Sequence, residues 1–310
     1  MLRIIYMGSP EFAIPGLERL YESGHEILAV VSNPDKRRGR GGGTSPTPVK
    51  EKALELGLPV IEVESTQDPV LAERLQGLNP DLLVVVAFRI LPREILEIPR
   101  IGAINLHASL LPKYRGAAPI HWAVMNGEEK TGCTVFFLNR DVDAGQIINQ
   151  EKTPIGPNET TGEVYERLKL LGAELLLDAV DRIDEDRTET YPQNEKFATP
   201  APKLYTSDAL LDFSKPAAEV HNKIRGLSPF PTAWTTYKGE KLNIYRSTVG
   251  PPIKLKPGEM TVDHHQLLAG CGSGTVELQE LQLPGRSRMK GIDFANGYDL
   301  DVRLGEGSLT

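Results

Sequence analysis

Two polar side chains at the end of an apolar segment form the clearest chemical pattern in the chain. Asn105 and His107 lie two positions apart, so on a β-strand both side chains point to the same face of the sheet. They are followed by a hydroxyl, two leucines and a proline at residues 109–112, and then by two cations. This arrangement is typical of a loop that faces a ligand. The alternative is a structural pair that only ends the strand.

A carboxylate follows a second apolar strand. The apolar residues 135–137 lead into an acidic stretch that contains Asp143 and then Gly145, which permits a tight turn. Open α/β sheets bind their ligands at the carboxyl ends of strands, so we expect Asp143 to converge on His107. The alternative role of Asp143 is to cap its own turn. Asp141 is the rival position for a catalytic carboxylate.

These residues belong to a longer pattern. It comprises Asn105-x-His107-x-Ser109-Leu110-Leu111-Pro112, then Arg115-Gly116, then Asp143-x-Gly145. The pattern resembles the formyltransferases that use 10-formyltetrahydrofolate, a family that needs neither a metal nor a nucleophilic side chain. The opening residues 7–13 and a C-terminal stretch around residues 282–289 resemble the branch of that family that acts on methionyl-tRNA. One departure is Arg89, at a position where the resemblance leads us to expect a small residue.

The resemblance implies a role for each site residue. Formyl transfer needs a neutral amine to attack the formyl carbon, which gives a tetrahedral species with a negatively charged oxygen. The amide of Asn105 suits this oxygen because it donates a hydrogen bond without gaining or losing a proton itself. His107 would donate to the same oxygen or move protons, while Asp143 would orient His107 and favour its charged form. The folate-binding residues implied by the resemblance are Ser109, Leu110, Leu111 and Pro112.

A cationic segment rich in glycine lies between the second predicted strand and the next helix. Its cations are Lys36, Arg37, Arg38 and Arg40, and a run of three glycines follows them. So many glycines predict a loop without regular structure, placed where it can follow a phosphate backbone. In the branch of the family that acts on methionyl-tRNA, the corresponding loop binds the acceptor stem, so the resemblance implies that these four cations bind tRNA. The alternative is an ordinary solvated surface loop.

The overall composition is that of a globular protein with local differences in charge. The net charge of −7 argues at first against a nucleic-acid partner, but residues 203–310 hold 13 Lys and Arg against 12 Asp and Glu. A local basic surface can still bind phosphate, because salt screens distant charge. Cys133 and Cys271 lie far apart and are most simply free thiols in a reducing compartment. We find no targeting segment and no membrane-spanning run, so we expect a cytoplasmic protein.

The element pattern predicts two domains. Continuously apolar strands alternate with helices in the first half, which is typical of a Rossmann-like, mostly parallel sheet. The first strand-to-helix turn, at residues 8–10, lacks Gly-x-Gly-x-x-Gly, which excludes a dinucleotide-binding dehydrogenase. We predict a catalytic domain over residues 1–190 and a proline-containing linker over 191–206. Short strands then favour a small β-barrel over 207–310, which by resemblance is of the oligonucleotide-binding type and supports tRNA binding.

The sequence therefore predicts a formyl transfer from 10-formyltetrahydrofolate to the α-amine of methionine on initiator tRNA, by a monomer without a metal. One alternative is another folate-dependent formyltransferase or a hydrolase that acts on a small substrate, such as glycinamide ribonucleotide or a nucleotide-linked amino sugar. The other is a tRNA-binding protein without catalysis. The cationic loop and the second domain weigh against the first alternative, and the complete set of Asn105, His107 and Asp143 weighs against the second.

Overall fold

The computed structural model describes residues 1–37 and 44–306. The chain divides into two compact units, and each is made of separate stretches of sequence. The first unit comprises Met1–Gly116, Gly132–Thr153 and Glu166–Pro200. The second unit comprises Ala117–Thr131, Pro154–Tyr165 and Ala201–Thr310.

The described part of the first half of the chain contains nine strands. They are β1 (Arg3–Gly8), β2 (Glu26–Ser32), β3 (Lys36–Arg37), β4 (Thr44–Ser45), β5 (Val60–Glu62), β6 (Leu82–Val86), β7 (Gly102–His107), β8 (Lys130–Phe137) and β9 (Ile147–Pro154). Seven of them form one sheet in the order β5-β2-β1-β6-β7-β8-β9, while β3 and β4 pair with each other. The five strands from β5 to β7 in this order are parallel, whereas β8 runs antiparallel to β7.

The central strands of this sheet are buried along their whole length. Every residue of β6 is buried, and so are the last five residues of β1. Continuous burial is expected for parallel strands that are covered on both faces, and it explains why these segments are apolar without alternation. The predicted Rossmann-like, mostly parallel sheet is confirmed.

Eight α-helices accompany the strands in the described part of the chain. They are α1 (Ile14–Glu22), α2 (Pro48–Glu55), α3 (Pro69–Gly77), α4 (Arg93–Leu96), α5 (Pro119–Met125), α6 (Thr161–Asp184), α7 (Ala217–Gly226) and α8 (Gly291–Gly297). Helix α2 begins after Thr47, whose hydroxyl accepts the N–H of Lys50 at 3.2 Å. A side-chain acceptor at this position satisfies one of the amides that a helix start leaves unpaired.

The second unit is built on an antiparallel sheet. Its strands are β10 (Ala233–Tyr237), β11 (Glu240–Val249), β12 (Met260–Asp263), β13 (Gln266–Gly270), β14 (Thr275–Gln282) and β15 (Met289–Lys290). They follow the order β10-β11-β14-β13-β12, and β15 pairs with β14. Phe294 of α8 packs at the core between Tyr237 and Tyr298, with ring centroids 5.1 and 4.6 Å away. The predicted fold class, a parallel α/β half followed by an antiparallel β half, is confirmed.

The compact units follow the chain differently from the predicted ranges 1–190, 191–206 and 207–310. The stretch 154–165 belongs to the second unit, where α7 holds it through two buried side chains. His221 pairs through Nε2 with the carbonyl of Pro157 at 2.9 Å, and Arg225 donates to the carbonyls of Gly156 and Glu159 at 3.2 and 3.1 Å. These side-chain contacts with backbone carbonyls hold the stretch in the second unit, and the predicted domain ranges stay a prediction.

Candidate active site

Strand β7 carries the two predicted polar side chains on one face at its end. Asn105 is half-buried and His107 is buried. Within residues 1–37 and 44–306, the carboxamide of Asn105 makes no side-chain hydrogen bond with another residue. A carboxamide carries two donor hydrogens and one acceptor oxygen. Asn105 therefore keeps its full hydrogen-bonding capacity for a ligand.

The ring of His107 is held in one orientation. Its Nε2 lies 2.8 Å from the carbonyl oxygen of Tyr114, and its Nδ1 lies 3.7 Å from Oδ2 of Asp143. A carbonyl oxygen only accepts, so Nε2 must carry a proton and donate it. In the neutral ring, Nδ1 then carries the lone pair. The distance to Asp143 is too long for a direct hydrogen bond.

Asp143 lies in the loop between β8 and β9. Its Oδ2 accepts the backbone N–H of Gly116 at 2.8 Å, and its backbone adopts a left-handed φ of 52°. Two residues later, a Cβ on Gly145 would overlap the carbonyl oxygen of Phe137. Only glycine therefore allows the loop to pass this close to the strand. The rival position, Asp141, is exposed, and its carboxylate has no contact with His107 among the described residues.

The route by which Asp143 reaches His107 differs from the one expected. We expected two neighbouring carboxyl ends, but β8 is antiparallel to β7, and Phe137 at the end of β8 pairs with Ile104 rather than with His107. The loop after β8 folds back along the sheet to bring Asp143 to the ring. The convergence follows from this returning loop and not from the parallel-strand rule.

The segment 109–112 is tightly bonded to its surroundings. The buried hydroxyl of Ser109 donates to the carbonyl of Lys113 at 2.6 Å, and the carbonyl of Ser109 accepts the hydroxyl of Thr134 at 2.7 Å. Leu111 is buried in a small apolar cluster. Leu110 and Pro112 are half-buried. Ligand contact with the side chains is therefore easiest at Leu110 and Pro112.

Comparison with known proteins identifies the family of this chain. The formyl transferase model matches residues 2–180, and the model of the formyl transferase C-terminal domain matches residues 203–299. The chain belongs to the formyltransferase family. It is an enzyme that transfers a one-carbon group, and the family membership predicted from the site motif is confirmed.

Two relatives with assigned names show which formyltransferases this chain is similar to. A methionyl-tRNA formyltransferase of Chlorobium luteolum is 44% identical over 97% of this chain and 98% of its own length. The methionyl-tRNA formyltransferase of Moorella thermoacetica is also 44% identical, over 96% of this chain and 97% of its own length.

Solved structures of other formyltransferases share the fold. An N-formyltransferase from Helicobacter canadensis, in complex with folinic acid and dTDP-3-aminofucose, has a TM-score of 0.70 at 20% identity and covers 90% of this chain and 99% of its own. The glycinamide ribonucleotide transformylase 1 from Symbiobacterium toebii has a TM-score of 0.52 at 24% identity and covers 60% of this chain and 89% of its own. At these identities, the likeness concerns the fold alone.

The cationic loop of this formyltransferase is described in part. Lys36 and Arg37 form strand β3, which pairs with β4. Arg38 and Arg40 lie outside the described residues. The near end of the loop is tied down, because Lys50 lies 2.6 Å from the carboxylate of Asp35. The predicted contacts with tRNA stay a prediction.

Arg89, the one departure from the family pattern, has a structural role in this formyltransferase. Its side chain is exposed and donates to Oδ1 of Asn33 at 2.5 Å and to the carbonyl of Glu64. It thus joins two loops that follow β2 and β5. Donors on one guanidinium can serve both acceptors because they diverge from a rigid plane.

Sequence reasoning missed one residue near the site, Gln193. Gln193 donates to the carbonyls of Asp143 and Gly145, and Arg115 donates to the side-chain oxygen of Gln193. Gln193 lies fifty positions after Asp143, in the segment predicted as a linker. No motif or periodicity in the sequence marks it.

Proposed function

We propose that this formyltransferase moves the formyl group of 10-formyltetrahydrofolate to the α-amine of methionine carried on initiator tRNA, with Asn105, His107 and Asp143 as its catalytic residues. The observation that carries the assignment of these residues is the carboxamide of Asn105, which no described residue binds, beside a His107 ring that faces Asp143 at 3.7 Å. The tRNA substrate is supported by the relatives at 44% identity over nearly the whole chain. The predicted formyl donor, 10-formyltetrahydrofolate, is the one that this family uses.

The reaction forms one C–N bond and breaks another. The neutral methionine amine attacks the formyl carbon, and the carbonyl electron pair moves to the oxygen. Asn105 donates an N–H to this oxygen as its negative charge develops. The loss of one such donor typically raises the barrier by about 3 kcal/mol. Its half-buried setting strengthens the interaction, because little water competes for the same N–H groups.

His107 transfers the protons that the reaction requires. The attacking amine must lose a proton, and N10 of the folate must gain one before the C–N10 bond breaks. Nε2–H of His107 is fixed on the carbonyl of Tyr114, so Nδ1 is the atom that takes or gives a proton. Asp143 stabilises the protonated ring from 3.7 Å. Because His107 transfers the protons and Asp143 stabilises its protonated ring, the site needs a carboxylate whose position is fixed.

The remaining predicted residues bind substrates in this proposal. Residues 109–112 shape the folate site, with Leu110 and Pro112 as the accessible side chains. Lys36, Arg37, Arg38 and Arg40 contact phosphates of the acceptor stem, and residues 207–310 support the rest of the tRNA. The protein acts as a monomer in the cytoplasm, where charged tRNA is present. No helix in the described parts of the chain is long and apolar enough to cross a membrane.

The direct test compares acceptors. Purified protein is incubated with 10-formyltetrahydrofolate and either charged initiator methionyl-tRNA, glycinamide ribonucleotide or a nucleotide-linked amino sugar. We expect N-formylmethionyl-tRNA to form at a kcat/KM at least a hundredfold above that for either small acceptor. Faster formylation of a small acceptor, or release of formate without transfer, would overturn the tRNA assignment.

A further inference from the structure

The loop that carries Asp143 is fixed by a side chain from a distant part of the first unit. Nε2 of Gln193 lies 2.8 Å from the carbonyl oxygen of Asp143 and 2.9 Å from that of Gly145. One amide group thus uses both of its hydrogens on the two carbonyls that flank the turn. These bonds hold the turn on both sides of residue 144.

The orientation of the Gln193 amide is determined by its neighbours. Its Oε1 accepts from Nε of Arg115 at 3.1 Å and from Nη2 at 2.7 Å. A guanidinium only donates and a backbone carbonyl only accepts, so the opposite orientation would place donors against donors and acceptors against acceptors. The amide therefore has one stable orientation, and in it every hydrogen-bonding group of the side chain is used.

Arg115 is in turn held in place and is continuous with the site. It donates to both carboxylate oxygens of Glu195 at 2.9 and 2.7 Å, and its backbone N–H donates to the carbonyl of Thr199 at 2.8 Å. The next residue, Gly116, donates its N–H to Oδ2 of Asp143 at 2.8 Å. The segment 115–116 thus contacts the Asp143 turn twice, once directly and once through Gln193.

This network restrains a backbone that would otherwise relax. Asp143 has a left-handed φ of 52°, a conformation that is strained for a residue other than glycine and persists where the surrounding structure holds it. The distance from Asp143 to Nδ1 of His107 depends on this conformation, because the carboxylate is only two bonds from the Cα atom. A release of the turn would move the carboxylate away from the ring.

We propose that Gln193 is a positioning residue, which sets the place of the Asp143 carboxylate relative to His107 through the two carbonyls of the turn. The inference rests on the proposed function, since it assumes that His107 and Asp143 act in formyl transfer. Gln193 itself reaches neither substrate in this account. Its effect is confined to the chemical step.

The test uses the full chain with Gln193→Met and Gln193→Glu. Methionine keeps the length of the side chain but neither donates nor binds Arg115. Glutamate keeps the pairing with Arg115 but places acceptors against the two carbonyls. We expect kcat for formylation of methionyl-tRNA to fall between about 10- and 100-fold in both variants, because small displacements of a catalytic group have effects of this size. KM for 10-formyltetrahydrofolate should stay within about twofold, because the substrates do not contact Gln193.

A control in the same segment separates positioning from general damage. Asn194→Ala removes the neighbouring amide, which among the described residues accepts only the backbone N–H of Lys196, at 3.2 Å. This variant should keep the wild-type kcat. Thermal unfolding of all variants shows whether a loss of rate follows from a loss of structure, and Gln193→Glu is informative even if Gln193→Met is unstable, since it retains the pair with Arg115.

Each outcome has one meaning. A wild-type kcat in both Gln193 variants, with an active parent, would overturn the positioning role and leave the proposed function intact. An equal loss of kcat in Asn194→Ala would also overturn the positioning role. A wild-type kcat in Gln193→Glu, with a loss in Gln193→Met, would overturn it as well, because it would show that only the pairing with Arg115 matters. A wild-type protein that does not formylate methionyl-tRNA would instead overturn the proposed function itself.

Discussion

Two regions of one sequence motif use their polar groups differently. In the first, at residues 105–107, the carboxamide of Asn105 is unpartnered among the described residues and Nδ1 of His107 faces Asp143 across 3.7 Å. In the second, at residues 109–112, the hydroxyl of Ser109 and the carbonyls of Ser109 and Leu111 are bonded to neighbouring residues. The difference fits the proposal in which the first region acts in the chemical step, while the second shapes the folate site.

The largest effect should come from the first region. We expect Asn105→Ala, His107→Ala and Asp143→Ala each to lower kcat by about a hundredfold or more, because each removes a group that acts in the chemical step. Steady-state kinetics with charged initiator tRNA measures this loss, and tRNA binding should remain nearly unchanged. A His107→Ala enzyme with close to wild-type kcat would contradict the role of the ring.

A smaller effect should separate chemistry from tRNA binding. Replacing the four predicted tRNA-binding cations by alanine should flatten the plot of log K against log salt by up to about 3, since each neutralised phosphate contributes roughly 0.7 to 0.9. Binding of a folate analogue should not change. The cations replaced are Lys36, Arg37, Arg38 and Arg40.

A matched variant controls for net charge in this experiment. It carries alanine at four exposed cations outside residues 207–310 and so changes the total charge equally. They are Arg93, Lys130, Lys152 and Arg187. An equal flattening in both fourfold variants would show that the loop has no special role, and an unchanged slope in the loop variant would place the tRNA elsewhere.

The second region should respond in stability rather than in rate. Ser109→Ala leaves the carbonyl of Lys113 without its donor, so we expect the free energy of unfolding to fall by about 1 kcal/mol. KM for the folate donor should stay within about twofold, because the hydroxyl is buried. Leu110→Ala should instead raise the KM for the folate donor severalfold, since the half-buried side chain of Leu110 is open to a ligand. Chemical denaturation and steady-state kinetics of both variants test the contrast, which fails if Ser109→Ala raises KM more than Leu110→Ala.

The smallest effect concerns the second unit and pH. Burial lowers the pKa of His221, whose Nδ1 pairs with the hydroxyl of Ser247 at 3.0 Å. The folded state therefore keeps this ring neutral, while the unfolded chain takes up a proton near pH 6.5. The stabilisation is complete above about this pH and is lost as pH falls from there towards the lowered pKa.

A variant without this ring reveals its share of the pH dependence. His221→Gln does not titrate, so we expect its free energy of unfolding to fall less than that of the wild type between pH 7.5 and 5.5. Denaturation at several pH values measures the difference. Parallel pH dependences in the two proteins would show that His221 does not contribute.

The sequence predicted the parts of the site that depend on local order. Asn105 and His107 lie on one face because they are two apart on a strand, and Gly145 is required where the loop passes Phe137. Continuous apolar runs predicted the buried parallel strands, and turn residues marked their ends. These features are set by neighbours in the chain and are therefore visible in it.

Other features depend on contacts between distant residues and were not predictable. The antiparallel direction of β8 determines how Asp143 returns to His107, and the amide of Gln193 fixes that return. Neither has a local signature. The stretch 154–165 joins the second unit through Arg225 and His221 for the same reason.

The central claim is that Asn105 and His107 act together in one chemical step, in which the amide stabilises the formyl oxygen while the ring transfers protons. A double-mutant cycle measures this directly, with single-turnover rates of formyl transfer for Asn105→Ala, His107→Ala and the double variant. Residues that act as a unit give strongly non-additive losses, so we expect the double variant to react within about tenfold of the slower single variant. Losses that multiply, with the double variant slower by the product of the two single effects, would show that the residues act independently and would contradict the account.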